Sequence, residues 1–206
     1  MRKKAAILPP NFGADGVRRR ILEGALQLFA HRGFDGASMR DLAALIELQP
    51  SAVYAHFASK QHLLAELVRA GHEAHHEAIR TAMLDAGAGP VAQLTALVRA
   101  NVRVHTTYPE LAIIVNTELD RLSPELAAPG LALRKQSAAM LIAVIERGTA
   151  MGCFAQPNTE VVAAAIGAIG MRIPHWYKSE LVDRSELAEL HVQLALRMVG
   201  AREEQA

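Results

Sequence analysis

Apolar character never alternates residue by residue over a useful length of this chain; from Val17 onward it recurs three and four residues apart. That spacing lines one face of an α-helix, whereas a half-buried strand needs a period of two. The expected fold class is therefore all-α. Alanine, leucine and valine dominate and aromatic residues make up only 4%, which favours helices over a sandwich of strands.

Start and stop signals divide the pattern. Ile21, Leu22, Ala25, Leu28 and Phe29 share one face of a first helix that ends at Gly33, and Gly24 within it should cost about 1 kcal/mol relative to alanine. Ser38 with Asp41 three residues on reads as a capping box for a second helix through Met39, Leu42, Ala43 and Ile46. Pro50 suits the first turn of a third, whose apolar side is Val53 and Phe57 with Tyr54. Ser59 caps a fourth that runs towards Leu84. After the glycine-rich break "DAGAGP", helices are expected at 90–107, 109–122, 124–151, 158–178 and 183–200, with breaks at Pro109, Pro124, Gly152, Pro157 and Asp183. No internal repeat is evident.

Half of the chain is apolar (51%), enough for a packed core. The net charge of +1 is unevenly spread: residues 1–60 hold nine Lys/Arg against five Asp/Glu, residues 61–206 thirteen against sixteen. The N-terminal quarter is thus the part expected to meet an anion. The single cysteine, Cys153, forbids an internal disulfide and fits a reducing compartment. The apolar run Ala5 to Leu8 is too short for a signal peptide, and Val161 to Met171 falls well below the roughly 20 residues that span a bilayer. A cytoplasmic protein is expected.

Three short helices within the basic quarter, the last two joined by a tight turn, describe a helix-turn-helix, in which a short third helix enters a major groove while the others brace it. The stretch "LFAHRGF", the opening "SMRDLA" and above all "VYAHFASKQHLL" resemble the DNA-binding domain of the TetR family of bacterial transcriptional regulators. Tyr54, His56, Phe57 and Lys60 match the family's Tyr-x-His-Phe-x-x-Lys signature, and the match is dense over residues 17–68. One departure stands out: the family usually has glycine in the turn where this chain has Glu47, a substitution that costs roughly 1 kcal/mol if the position is left-handed.

The resemblance implies three parts: a flexible basic arm (1–14), the helix-turn-helix DNA-binding domain (15–62) and a ligand-binding and dimerisation domain (63–206). Expected DNA contacts are Gln49, Pro50, Ser51 and Ala52 at the start of the recognition helix, where short polar and methyl groups can meet base edges. Tyr54, Lys60 and Ser38 are expected on phosphates, Arg40 on either, and His56 on a phosphate. Arg18, Arg19 and Arg20, with Arg2, Lys3 and Lys4, form either a solvated charge run or an extra set of phosphate or minor-groove contacts.

His72-Glu73-Ala74-His75-His76 imitates a zinc-hydrolase signature, two histidines four apart with a glutamate after the first. A third ligand is missing: no glutamate follows Glu77 until Glu110, and the glycine of the extended pattern is absent. The stretch is read as a polar helix face, the hydrolase as the disfavoured alternative, and the protein as no enzyme, with neither metal nor cofactor.

In the larger domain, "VVAAAIGAIG" and the stripe Leu187, Leu190, Leu194, Met198 suit a two-fold homodimer. Candidate effector contacts are His105, Tyr108, Asn116, Phe154, Arg172, Trp176 and Lys178. The tail "MRIPHWYKSE", with the stretch before it, is loosely similar to TetR-type regulators that sense acyl-CoA thioesters, which implies a small hydrophobic or acyl-CoA effector releasing a repressor from a palindromic operator. A regulator of efflux that answers drug-like or aromatic compounds is the alternative. Cys153, among apolar neighbours, is expected to be inert.

Overall fold

The structure, a computed structural model, describes residues 7–10, 12, 16–155 and 158–202. Among these, nine α-helices follow one another: α1 (Gly16–Arg32), α2 (Met39–Leu45), α3 (Pro50–His56), α4 (Lys60–Asp85), α5 (Pro90–Thr107), α6 (Pro109–Thr117), α7 (Pro124–Ala150), α8 (Thr159–Trp176) and α9 (Arg184–Met198). The caps are those the sequence announces. The Ser38 hydroxyl accepts the Asp41 amide at 3.1 Å while the Asp41 carboxylate takes the Ser38 amide at 3.0 Å. At the starts of α8 and α9 the side chains of Asn158 and Asp183 accept the amides of Val161 and Ser185. The helix expected over 109–122 stops at Glu118 and continues as a 3₁₀ turn, Leu119–Arg121.

Two compact units share the chain. The first takes residues up to Ala74 together with Tyr108–Leu133, so α6 and the start of α7 belong to the core around the helix-turn-helix. Leu111, Ile114 and Val115 of α6 are buried in one cluster with Ile21, Leu22, Phe29, Leu42, Val53 and Phe57. The second unit takes His75–Thr107 and the chain from Arg134 on, with its core built by α5, α8, α9 and the end of α7. Both α4 and α7 contribute to both units.

The N-terminal arm departs from expectation where it is described. Leu8 is 1% exposed and Phe12 6%, so this stretch is part of the first core and not a free arm. The guanidinium of Arg19 holds it there, donating to the carbonyls of Leu8, Pro9 and Phe12 at 2.9–3.2 Å. Arg2, Lys3, Lys4 and Pro157 lie outside the described residues.

The last two helices expose apolar residues among charged and polar ones. Leu190 and Leu194 on α9 and Val161 on α8 are 43–61% exposed, whereas Leu187 is buried, so the expected stripe divides between the inside and the outside of the unit.

Candidate functional site

The first unit is organised around the junction of α2 and α3. At the end of α2 the Leu48 amide donates to the Ala43 carbonyl at 2.9 Å and the Glu47 amide to Ala44 at 3.3 Å, the pair of bonds that closes a helix in a Schellman motif. That motif needs a left-handed residue at its hinge, and Glu47 sits there with φ 53°, the one non-glycine with positive φ among the described residues. The chain thus keeps the turn that glycine would favour and bears the steric cost, about 1 kcal/mol. Gln49 and Pro50 then start α3 with extended backbone before a proline at the first helical position.

Because Val53 and Phe57 are buried, α3 turns its other side outward. Gln49, Pro50, Ser51, Tyr54 and His56 are exposed and Ala52 is half-buried; Arg40 is exposed on α2. The phenol of Tyr54 is free to reach out, since the residue is 51% exposed. The expected base-edge residues are therefore accessible along α3, and two of the expected phosphate residues already have partners. The Ser38 hydroxyl is already engaged with Asp41, whose carboxyl its hydrogen bond, with Arg32 beside it, holds below the usual carboxylate range. The Lys60 ammonium donates to the carbonyls of Phe34 and Ala37 at 2.6 and 2.8 Å and lies over the Phe34 ring, which leaves one N–H for a phosphate.

Arg18, Arg19 and Arg20 are not a solvated run. Arg18 pairs with Glu66 at 3.0 Å, Arg19 holds the N-terminal stretch and Arg20 donates to the Ile46 carbonyl. Helical spacing alone cannot tell an arginine that faces solvent from one that folds back onto backbone carbonyls.

In the second unit the polar groups converge on α5. The Asn101 side chain accepts from His75 Nε2 at 3.0 Å, and its carbonyl accepts from His105 Nδ1 at 2.9 Å. The two imidazoles meet edge to face, 5.7 Å between centroids. Burial, then the neighbouring His105 and His76, pushes the His75 pKa down to about 4; burial also lowers that of His105. On the other side of Asn101 a hollow of about 10 Å³, room for one water molecule, lies between α5, α8 and α9, lined by Val98, Ile166, Ile169, His191 and Leu194 among others. His191 donates through Nδ1 to the Leu187 carbonyl. Sequence reading had chosen His105 and passed over Asn101, His75 and His191; Asn101 and His105, four apart on the buried face of α5, were the available signal.

The other expected effector residues are not gathered there. Phe154 is 2% exposed in the hydrophobic core of the second unit, and Arg172, Trp176 and Lys178 are exposed around the end of α8. Tyr108 and Asn116 belong to the first unit, where Tyr108 packs on the core and the Asn116 amide bonds the Ala112 carbonyl of its own helix.

The metal-like stretch also resolves. His72 is buried in the first unit, His75 reaches Asn101, and His76 lies 3.3 Å from the Ser137 hydroxyl. All three lie on one helix, buried or half-buried, and do not form the polar face expected. Among the described residues no three His, Cys, Asp or Glu side chains are grouped to hold a metal ion.

Comparison with known proteins bears on the whole chain. The family model described as "Bacterial regulatory proteins, tetR family" matches residues 21–67, and "Tetracyclin repressor-like, C-terminal domain" matches 87–199, more than half of the chain. The chain belongs to the TetR family. A crystal structure of a tetR-family regulatory protein from Rhodococcus RHA1 superposes with a TM-score of 0.85 at 31% identity, over 90% of this chain and 97% of that one. The HTH-type transcriptional repressor KstR2 of Mycobacterium tuberculosis is 28% identical over 145 residues, 70% of this chain and 72% of the relative. AibR, solved in complex with isovaleryl coenzyme A and operator DNA, shares the fold at a TM-score of 0.79 and 24% identity, covering 89% and 98% of the two chains. TetR-family proteins are DNA-binding transcriptional regulators and not enzymes, which removes the hydrolase alternative.

Two outcomes follow from the geometry of this TetR-family chain. Glu47→Gly should stabilise the protein by about 1 kcal/mol, raising Tm by roughly 2–4 °C; a lower Tm would mean that the glutamate side chain contributes more than its backbone costs. His75, neutral in the fold with a pKa of about 4, has an ordinary value near 6.5 when unfolded. Between those values only the unfolded chain takes the proton, so stability falls as pH drops from about 6.5 to 4, by roughly 3 kcal/mol at 1.4 kcal/mol per pKa unit. Denaturant midpoints across that window should show the slope in the native protein and a shallower one in His75→Gln.

Proposed function

We propose that this TetR-family regulator binds a palindromic operator as a two-fold homodimer and represses until a small hydrophobic or acyl-CoA effector releases it. The observation that carries the reading is the outward face of α3, where Gln49, Pro50, Ser51 and Tyr54 are exposed and Ala52 half-exposed on a helix whose inner side is buried. Short polar and methyl groups at the start of such a helix suit base edges in a major groove. Tyr54, His56, the third N–H of Lys60 and Arg40 take phosphates, and the Ser38 cap adds to the same surface.

Dimerisation is supported by the apolar side chains that α8 and α9 leave exposed, Val161 with Ala164 and Ala168 on α8 and Leu190 with Leu194 on α9. A second copy that covers them sets two α3 helices about 34–36 Å apart, one turn of the duplex. The effector enters the second unit near Asn101, His105 and His191, a few polar groups in an apolar lining, the usual make-up of a small-molecule site. A hollow of about 10 Å³ has to open for it. Because α4 belongs to both units, from Lys60 to Asp85, an effector that prefers the opened form competes with operator binding through the position of that helix. Arg172, Trp176 and Lys178 are exposed where a CoA phosphate or adenine could be met. The likeness to AibR, solved with isovaleryl coenzyme A, supports the acyl-CoA class over drug-like compounds. No helix among the described residues is long and apolar enough to cross a membrane, and the proposed place of action is the cytoplasm, where the operator is.

Fluorescence anisotropy across a salt series tests the reading, using the duplex upstream of the protein's own gene, an unrelated duplex and a random-sequence selection, with medium- and long-chain acyl-CoAs at saturation. Selective binding released by an acyl-CoA is the expected result. Selective binding unmoved by any thioester removes the effector class alone, and no selected sequence removes operator binding. In sedimentation, Leu190→Arg with Leu194→Arg should give monomers whose operator affinity falls roughly a hundredfold or more, the avidity lost with the second half-site; an unchanged dimer places the interface elsewhere.

A further inference from the structure

Two arginines of α1 reach both ends of the recognition helix. Ahead of α3, the Arg20 guanidinium donates to the carbonyl of Ile46, the last residue before the left-handed Glu47. At the far end, Arg18 donates to the His56 carbonyl at 3.4 Å, lies 4.4 Å from the centre of the Phe57 ring and is held by Glu66 at 3.0 Å. His56 is the last residue of α3 and Phe57 its C-cap. Between the two arginines and the turn, Gly24 lets α1 and α2 meet: a Cβ there would stand 2.4 Å from Ile46 Cγ2 and 3.0 Å from Leu42 Cδ1.

These contacts have a common consequence. A turn held only by its two backbone bonds, with a strained non-glycine at its hinge, has freedom to tilt α3. The guanidinium on Ile46 ties the carbonyl side of the hinge to α1, and the second guanidinium ties the other end of α3 to the same helix. A planar group with several donors is suited to this, since it can hold a carbonyl while its charge is met elsewhere.

We infer that Arg18 and Arg20 are positioning residues for operator recognition, a brace from α1 that sets the aim of α3, and not contributors of phosphate contacts. The inference rests on the operator reading proposed above. It departs from what the charge of the segment suggests, because a brace acts on sequence selectivity whereas a phosphate contact acts on affinity for any duplex.

The test uses the full-length protein, the duplex recovered by random-sequence selection and an unrelated duplex, each over a salt series. Arg20→Met is expected to lose operator affinity by roughly five- to a hundredfold, the range for one lost base contact, with affinity for the unrelated duplex and the salt slope unchanged. Arg20→Lys keeps the charge and a donor on a differently shaped side chain, so it should recover at most part of the selectivity, with the salt slope unchanged in both variants. Gly24→Ala removes no charge at all and should lower selectivity in the same way by pushing Ile46 off α1; it keeps the inference testable if Arg20→Met fails to fold, as circular dichroism would reveal. A salt slope that falls by about one in Arg20→Met and is restored in Arg20→Lys marks a phosphate contact and overturns the brace. Wild-type selectivity in both Arg20→Met and Gly24→Ala overturns it as well. A native protein that selects no duplex overturns the operator reading, and this inference with it, before any variant is compared.

Discussion

A methyl group of Ile46 resting on the backbone of Gly24 decides how closely α2 approaches α1, and the geometry of the DNA-facing surface descends from that contact. The helix-turn-helix is small, and α2 and α3 have seven residues each, too few to hold their shape by helix propensity alone. Their stability comes from the shared core with α1, α4 and α6. The glycine that looks like a weak point within α1 is thus where the close approach is made possible: its cost of about 1 kcal/mol in propensity is offset by apolar surface buried between the two helices.

The fold was largely legible because helix signals are local. Ser38, Asn158 and Asp183 mark starts that the structure confirms by hydrogen bonds from their side chains, and the helical period located every long helix to within a few residues. Pro129 and Pro174 inside α7 and α8 did not end those helices, in keeping with the uninterrupted apolar period on either side. What could not be read was which core each stripe faces. The apolar face of α6 looks like any other, and only the folded chain shows that Leu111, Ile114 and Val115 join the DNA-binding core.

The candidate site divides along the same line. The residues on α3 were recognisable from their order, since a seven-residue helix with Val53 and Phe57 inside leaves few choices for the outside. Partners distant in sequence were not. The arginines of α1 read as a charge cluster, and nothing in the sequence signals the carbonyls 23 to 38 residues away to which Arg18, Arg20 and Lys60 donate. The histidines from His72 to His76, read as a polar helix face, show the same limit. Their spacing imitates a metal motif, but each turns to a different neighbour, and burial keeps His75 neutral far below its usual titration range.

Gly170 of α8 presents no side chain to α5, and the space is taken by the Asn101 amide, so close that a Cβ on residue 170 would stand 2.0 Å from Asn101 Nδ2. The two positions are 69 apart in the chain and cannot change independently. A side chain at 170 makes the Asn101 amide turn away or a smaller residue take its place, and either change disturbs the acceptor that His75 uses. The three positions therefore form one heritable unit. Regulators descended from a common ancestor are expected to exchange them together, and a graft of one position from a relative would carry the need for the other two.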